Sequence, residues 1–283
     1  MNAITRTALV AVLFALAGLR APNAEAAAAT RPTTRPLVLV FTGESNSGGI
    51  GPNARAKPAE LAPRACVQIM NLTNGEFSFE DLRIGVNNLR DHAGLGGYYG
   101  KSHGWELELA NAVAEGAFAG HERVYLIKTG QGGSRIAEWA EDGSAWRKFV
   151  QRTEAGRKQL PADARWVVWL SLGINDALAR TPIGTWKTQV VAHLGRIRKQ
   201  LPGATIVMTQ FQSMGYPEIN QAIAQMAAAE PDVLAVDSTG AKLLDANHWD
   251  YDGLKTVTRR LIAATHQTLS PATTTRTSSK ETP

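Results

Sequence analysis

Residues 37–49 of this chain read LVLVFTGESNSGG. The apolar run over residues 37–41 is typical of a strand that is buried on both faces of a sheet. The run ends at Gly43 and a polar cluster follows, so we predict that Ser45 lies just past the carboxyl end of a central strand. Ligands bind at that edge of open α/β sheets. A plain turn is the alternative, because Gly, Asn and Ser are also the residues that favour turns.

The composition is that of a globular protein. The chain has 283 residues, of which 44% are hydrophobic and 19% are charged, and this favours one domain as the leading interpretation. The single cysteine, Cys66, excludes an internal disulfide. The basic residues behind the net charge of +5 are scattered along the chain, so the sequence does not favour nucleic acid as a partner.

The first residues are typical of a secretory signal peptide. One arginine precedes an apolar run over residues 7–19, and Ala24-Glu25-Ala26 fits a cleavage site of small residues. The protein is therefore expected to be secreted or periplasmic, with no membrane contact once the signal is removed. The predicted organisation is a signal peptide at 1–26, a linker at 27–35, one folded domain at 36–270 and a disordered Thr/Ser-rich tail at 271–283.

Strand-like and helix-like segments alternate along the folded domain. Strands are predicted at residues 37–42, 66–71, 123–128, 166–172, 204–211 and 233–236. Helices are predicted at residues 104–117, 144–160, 183–201, 218–229 and 253–269. This alternation predicts a three-layer α/β/α sandwich around a mainly parallel sheet.

A second glycine-rich segment follows the strand predicted at 123–128. It contains Gly132 and Gly133 just before Ser134, where a helix is expected to begin. Glycines let backbone N–H groups approach a ligand closely, and this suits a developing oxyanion. The spacings of nucleotide-binding loops are absent, which disfavours a phosphate ligand. A flexible turn is the alternative.

Two further segments contain candidate catalytic residues. The strand at 166–172 ends at Gly173, and the amide of Asn175 just beyond it could donate to an oxyanion. Before the last helix, Asp245 precedes His248 by three residues, so the carboxylate could accept a bond from the imidazole Nδ1–H and leave Nε2 as a base. A metal site is the weaker alternative for the second segment, since its ligand-type residues do not have EF-hand spacing; these are Asp245, Asn247, His248, Asp250 and Asp252.

Taken together, the four segments resemble the SGNH (GDSL-type) hydrolase family. The matching blocks are Gly43-Glu44-Ser45-Asn46, Gly132-Gly133-Ser134, Gly173-Ile174-Asn175-Asp176 and Asp245-Ala246-Asn247-His248. The first two blocks look most like the branch of sialate O-acetylesterases and acetylxylan esterases. In that branch the first block usually reads GQSN, whereas this chain has Glu44 in place of the glutamine.

The resemblance implies a flavodoxin-like five-stranded sheet and a serine ester hydrolase that needs no metal and no cofactor. Ser45 would be the nucleophile and His248 its general base, oriented by Asp245. The oxyanion hole would consist of the backbone N–H groups of Ser45 and Gly132 and the side-chain amide of Asn175.

The substrate is expected to be an ester of a small molecule or a polysaccharide, with O-acetyl groups on a carbohydrate as the first choice. The candidate substrate-binding residues are Glu44, Trp139 and Trp249, since either indole could stack on a sugar ring. Three alternatives remain open at this point: a lipid or aryl esterase, an acyltransferase that uses the same residues, and a non-catalytic carbohydrate-binding domain of the same fold.

Overall fold

The computed structural model describes residues 35–88 and 101–269. The predicted signal peptide and tail lie outside the described residues, as does the linker apart from Arg35. In the described part of the chain, no helix is both long and apolar enough to span a membrane.

Helices and strands alternate as the sequence predicts. The strands are β1 Leu37–Gly43, β2 Gly51–Pro52, β3 Arg64–Thr73, β4 Glu76–Leu82, β5 Ser102–His103, β6 Val124–Lys128, β7 Arg165–Ser171, β8 Thr205–Thr209 and β9 Val233–Val236. The helices are α1 Ser45–Gly48, α2 Pro58–Leu61, α3 Trp105–Ala114, α4 Ser144–Gln159, α5 Ile174–Leu178, α6 Ile183–Gln200, α7 Pro217–Ala229 and α8 Tyr251–Leu269. Short 3-10 helices lie at Asn53–Arg55, Ile136–Trp139 and Gln212–Met214.

Seven of these strands form one sheet, in the order β4-β3-β6-β1-β7-β8-β9. Every neighbouring pair is parallel except β3 with β4. The five strands β6-β1-β7-β8-β9 follow the flavodoxin-like order, in which the second strand in sequence lies beside the first and the later strands extend the other side. The predicted fold class is therefore confirmed, although the sheet has seven strands instead of five.

The extra antiparallel strand β4 pairs with β3 through a tight hairpin. Asn74 and Gly75 connect the two strands, and their φ angles are 54° and 85°. A type I′ turn, which joins two strands through a two-residue loop, requires positive φ at both central residues. Asn-Gly is its preferred sequence. The Asn-Gly pair was the sequence signal for β4, a strand that the sequence analysis did not predict.

The core of the sheet fixes the C-terminal helix. Phe41 of β1 stacks on Trp169 of β7 with ring centroids 4.8 Å apart, and it meets Trp105 of α3 edge-on at 5.4 Å. The indole N–H of Trp169 donates to Thr265 Oγ1 of α8 at 2.9 Å. Helix α8 is thus held to the same strands that carry the first and third sequence blocks, and the loop before α8 is brought to their carboxyl ends.

Candidate active site

The turn after β1 places Ser45 at the point where the strand order reverses, between β6 and β7. Gly43 has a φ of 109°, a conformation that residues with a Cβ rarely adopt. A Cβ at Gly43 would also lie 1.9 Å from the carbonyl oxygen of Ser171 on β7. That carbonyl accepts the N–H of Glu44 at 2.7 Å, so the chain turns sharply and α1 begins at Ser45.

Ser45, His248 and Asp245 form a continuous hydrogen-bonded chain. Ser45 Oγ lies 2.9 Å from His248 Nε2, and His248 Nδ1 lies 2.9 Å from both carboxylate oxygens of Asp245. Ser45 is 7% exposed, whereas the side chains of His248 and Asp245 are 19% and 51% exposed. A largely buried hydroxyl is thus in contact with an imidazole whose other nitrogen is held by a carboxylate.

The Asp245 carboxylate is itself oriented and kept ionised. Burial acts to raise the pKa of Asp245, but hydrogen bonds from the Asn247 N–H and from His248 outweigh it and lower the pKa overall. The Asn247 N–H bond to Asp245 Oδ1 is 2.8 Å long. An ionised carboxylate at this place stabilises an imidazolium formed when His248 takes a proton.

Asn46 ties the serine turn to the histidine loop. Its Nδ2 donates to the carbonyl oxygen of Asn247 at 2.9 Å, and its Oδ1 accepts from the Trp249 N–H at 3.3 Å. These two contacts lie on either side of His248 in the chain. They fix the imidazole relative to Ser45, although the two segments are separated by about 200 residues.

The glycine-rich loop after β6 packs directly on the serine turn. The N–H of Gln131 donates to the Gly43 carbonyl oxygen at 2.8 Å, and a Cβ at Gly130 would lie 2.6 Å from the backbone nitrogen of Gly48. Further along the loop, Gly132 is buried and Gly133 is exposed. The structure therefore brings the second sequence block beside the first.

Asn175 lies in the first turn of α5, and its side chain points back to the serine turn. Asn175 Nδ2 donates to Glu44 Oε2 at 2.6 Å and to the Ser134 carbonyl oxygen at 3.2 Å. The backbone N–H groups of Ile174 and Asn175 donate to Glu44 at 2.9 and 3.1 Å. The third block is thus attached both to the residue before Ser45 and to the glycine-rich loop.

The three predicted substrate-binding residues, Glu44, Trp139 and Trp249, are all buried. Trp139 and Trp249 are fully buried: Trp139 donates to Ser134 Oγ at 3.1 Å, and Trp249 stacks on Phe211 with centroids 6.2 Å apart. Neither ring has a face open to a sugar in this structure, which disfavours the stacking that the sequence suggests. Glu44 is also fully buried, and its carboxyl contacts protein groups beneath the site.

The sequence analysis missed Tyr216, which follows β8 at the same edge of the sheet. Its hydroxyl donates to Asn247 Oδ1 at 2.6 Å, one residue from His248, and its ring is half-buried. Tyr216 also borders a cavity of about 410 Å³, a volume within the range of small-molecule sites. The other lining residues are Ala177, Arg180, Thr181, Pro182, Ile183, Gly215, Pro217, Glu218 and Ile219. Its position after a parallel strand was the signal that could have identified it.

Two of the alternative metal ligands lie just after the last block and pair with basic side chains. Asp250 and Asp252 form ion pairs with Arg55 at 3.3 and 2.8 Å, and Lys242 lies 3.2 Å from Asp252. Within residues 35–88 and 101–269, no group of three or more His, Cys, Asp or Glu side chains is arranged to hold a metal ion.

Comparison with known proteins gives one family match and several structural ones. A sequence model described as "Carbohydrate esterase, sialic acid-specific acetylesterase" matches residues 36–267. No curated protein matches the sequence. A crystal structure of a protein from Arabidopsis thaliana is similar with a TM-score of 0.65 and 19% identity, covering 84% of this chain and 100% of that one. The crystal structure of NanS is similar with a TM-score of 0.65 and 14% identity, covering 84% and 98%. At these identities the structural likeness shows the fold.

Proposed function

This chain belongs to the carbohydrate esterase family of sialic acid-specific acetylesterases, and from that premise we propose that it removes O-acetyl groups from a carbohydrate with Ser45 as the nucleophile. The resemblance to SGNH hydrolases inferred from the four sequence blocks is confirmed, and the chain is a carboxylic ester hydrolase. The observation that carries the proposed mechanism is the hydrogen-bonded chain from Ser45 Oγ through His248 to Asp245.

In the first step, Ser45 Oγ attacks the ester carbonyl carbon while its proton passes to His248 Nε2. The tetrahedral intermediate carries a negative oxygen, for which the proposed donors are the N–H groups of Ser45 and Gly132 and the amide of Asn175. His248 then gives the proton to the departing sugar oxygen, and the carbon–oxygen bond to the sugar breaks. The acetyl group remains on Ser45.

In the second step, water attacks the acetyl carbon and gives a proton to His248 Nε2. The bond to Ser45 Oγ breaks, the serine recovers the proton, and acetic acid leaves. Asp245 stays hydrogen-bonded to His248 Nδ1 in both steps. Nε2 is therefore the unprotonated nitrogen that accepts the proton each time, as in the resting site.

The carbohydrate part of the substrate would occupy the cavity beside Tyr216. Its wall combines an aromatic ring and prolines with the side chains of Arg180 and Glu218, and polar groups placed around an apolar surface are typical of ligand sites. The contact of Tyr216 with Asn247 joins this wall to the loop that carries the proposed base.

A release assay tests the proposal. The purified protein, Ser45→Ala and the control Ser78→Ala are incubated with p-nitrophenyl acetate and with O-acetylated glycans, and released product is measured. Ser78 is exposed on edge strand β4, so its variant should match the wild type, whereas Ser45→Ala should lose at least about a thousandfold in kcat. Equal activity of all three proteins would refute the serine mechanism; cleavage of the aryl ester alone would leave that mechanism standing and refute the carbohydrate substrate.

We also propose that the protein acts outside the cytoplasm, on the basis of the signal-peptide pattern at residues 1–26. Amino-terminal sequencing of the protein recovered from the extracytoplasmic fraction tests this. A mature chain that begins at Ala27 is expected, and retention of full-length chain in the cytoplasm would contradict it.

A further inference from the structure

A carboxyl group lies directly beneath the proposed oxyanion hole. Glu44 immediately precedes Ser45 and is fully buried, and three N–H donors from α5 converge on its two oxygens. Ile174 N–H reaches Oε1, while the backbone and side-chain N–H groups of Asn175 both reach Oε2. Burying a carboxyl group is costly unless donors surround it, as they do here, and neither step of the proposed mechanism uses Glu44 as an acid or a base.

The contacts of Asn175 show what the carboxyl group does. The side-chain amide has two hydrogens, one directed to Glu44 at 2.6 Å and one to the Ser134 carbonyl oxygen at 3.2 Å. The shorter bond fixes the rotamer of Asn175. The longer bond is the weaker one, so its hydrogen is the one that an oxyanion could attract when substrate is bound.

We propose that Glu44 is a positioning residue, which holds the Asn175 amide in its oxyanion-binding orientation. This inference rests on the proposed serine esterase mechanism. Glu44 itself touches neither substrate nor the reacting atoms; it acts through Asn175.

The surroundings of Glu44 act on its ionisation in opposite directions. Burial raises the pKa of Glu44 to about 8, with the nearby Asp176 carboxylate adding to the rise and the N–H groups of Ile174 and Asn175 opposing it. The titratable groups near Glu44 are Asp176 of α5 and Tyr216 after β8; burial raises the pKa of Tyr216, and a negative charge on Glu44 raises it further. Neither Asp176 nor Tyr216 supplies a positive charge.

Because Glu44 would act only through the side-chain amide of Asn175, the proposal predicts an energetic coupling between these two residues.

A double-mutant cycle tests the coupling. Glu44→Ala, Asn175→Ala and the double variant are compared for kcat and KM on p-nitrophenyl acetate. If Glu44 acts through Asn175, Glu44→Ala should lower kcat at least about tenfold in the wild type but less than about threefold in the Asn175→Ala background. KM should change by less than about threefold in each case. Losses that multiply in the double variant would overturn the positioning role.

The variant Glu44→Gln keeps the shape of the side chain and removes its charge, so it also serves if Glu44→Ala does not fold. The single amide oxygen of glutamine can still accept from Asn175, although the Ile174 N–H would then face an NH₂ group. If positioning is the role, Glu44→Gln should keep kcat within about threefold of the wild type. A loss as large as that of Glu44→Ala would overturn it.

The outcome for Ser45→Ala separates this inference from the proposed function. If Ser45→Ala is inactive while the double-mutant losses multiply, only the role of Glu44 is wrong. If Ser45→Ala retains activity, the serine mechanism fails and the role of Glu44 fails with it.

Discussion

His193 is expected to make the folded state sensitive to mild acid. It lies on α6 and is fully buried, with the rings of Trp139 and Trp146 at centroid distances of 5.4 and 5.7 Å. Within the described part of the chain, neither ring nitrogen has a hydrogen-bond partner. Burial lowers the pKa of His193 to about 3, and the positive charge of Arg196 lowers it further in the same direction.

The size of the effect follows from the difference in proton binding. An unfolded histidine titrates near pH 6.5, so between about pH 6.5 and pH 3 the unfolded chain binds a proton that the folded chain does not. The contribution of His193 to stability is therefore complete above pH 6.5 and is lost as the pH falls, at about 1.4 kcal/mol per unit. Lowering the pH from 7 to 5 should cost about 2 kcal/mol of unfolding free energy at this residue alone.

The measurement is urea denaturation at pH 7 and pH 5 for the wild type, His193→Leu and the control His121→Gln. His121 lies at the surface, where its ring contacts the Arg35 carbonyl oxygen at 2.9 Å. The wild type and His121→Gln should lose the same amount of stability on acidification, and His193→Leu should lose about 2 kcal/mol less. An equal loss in all three proteins would show that His193 does not govern the acid response.

Two further predictions concern the serine turn. Asn175→Ala should lower kcat about a hundredfold, equivalent to about 3 kcal/mol in the barrier; turnover like that of the wild type would remove Asn175 from the oxyanion hole. Gly43→Ala should destabilise the fold by at least about 3 kcal/mol, because a positive φ and a clash with Ser171 act together. The control Gly75→Ala also has positive φ, at 85°, but nothing lies within 4 Å of its added Cβ, so thermal or urea unfolding should show a loss of only about 1 kcal/mol. Equal losses in the two glycine variants would mean that the clash does not matter.

The apolar strands and the residues at their ends could be predicted from the sequence because both signals are local. A run such as residues 37–41 indicates a buried strand by itself, and the glycine that ends it marks the turn. Since parallel strands end at one edge of the sheet, Ser45, Gly132 and Asn175 could be expected to meet. His248, which lies in the loop before the last helix, is brought next to Ser45 at the same edge.

What the sequence could not give was the direction in which each side chain points. Trp139 and Trp249 adjoin the second and fourth blocks, yet both turn into the core, because burying a large ring is favourable. Tyr216 is far from every block in the sequence and still reaches Asn247. Glu44 is buried against α5, whose N–H groups contact its carboxyl. That contact depends on how β1 and β7 are paired.

The distance along the chain between Ser45 and His248 has a consequence for biosynthesis. The serine lies near the start of the folded region, whereas the histidine lies immediately before its last helix. On the proposed mechanism, a nascent chain that has not reached residue 248 would carry the nucleophile without its base, however well the earlier strands have formed. Ester cleavage would then begin only when translation is nearly finished, and truncated products of interrupted synthesis would be catalytically silent.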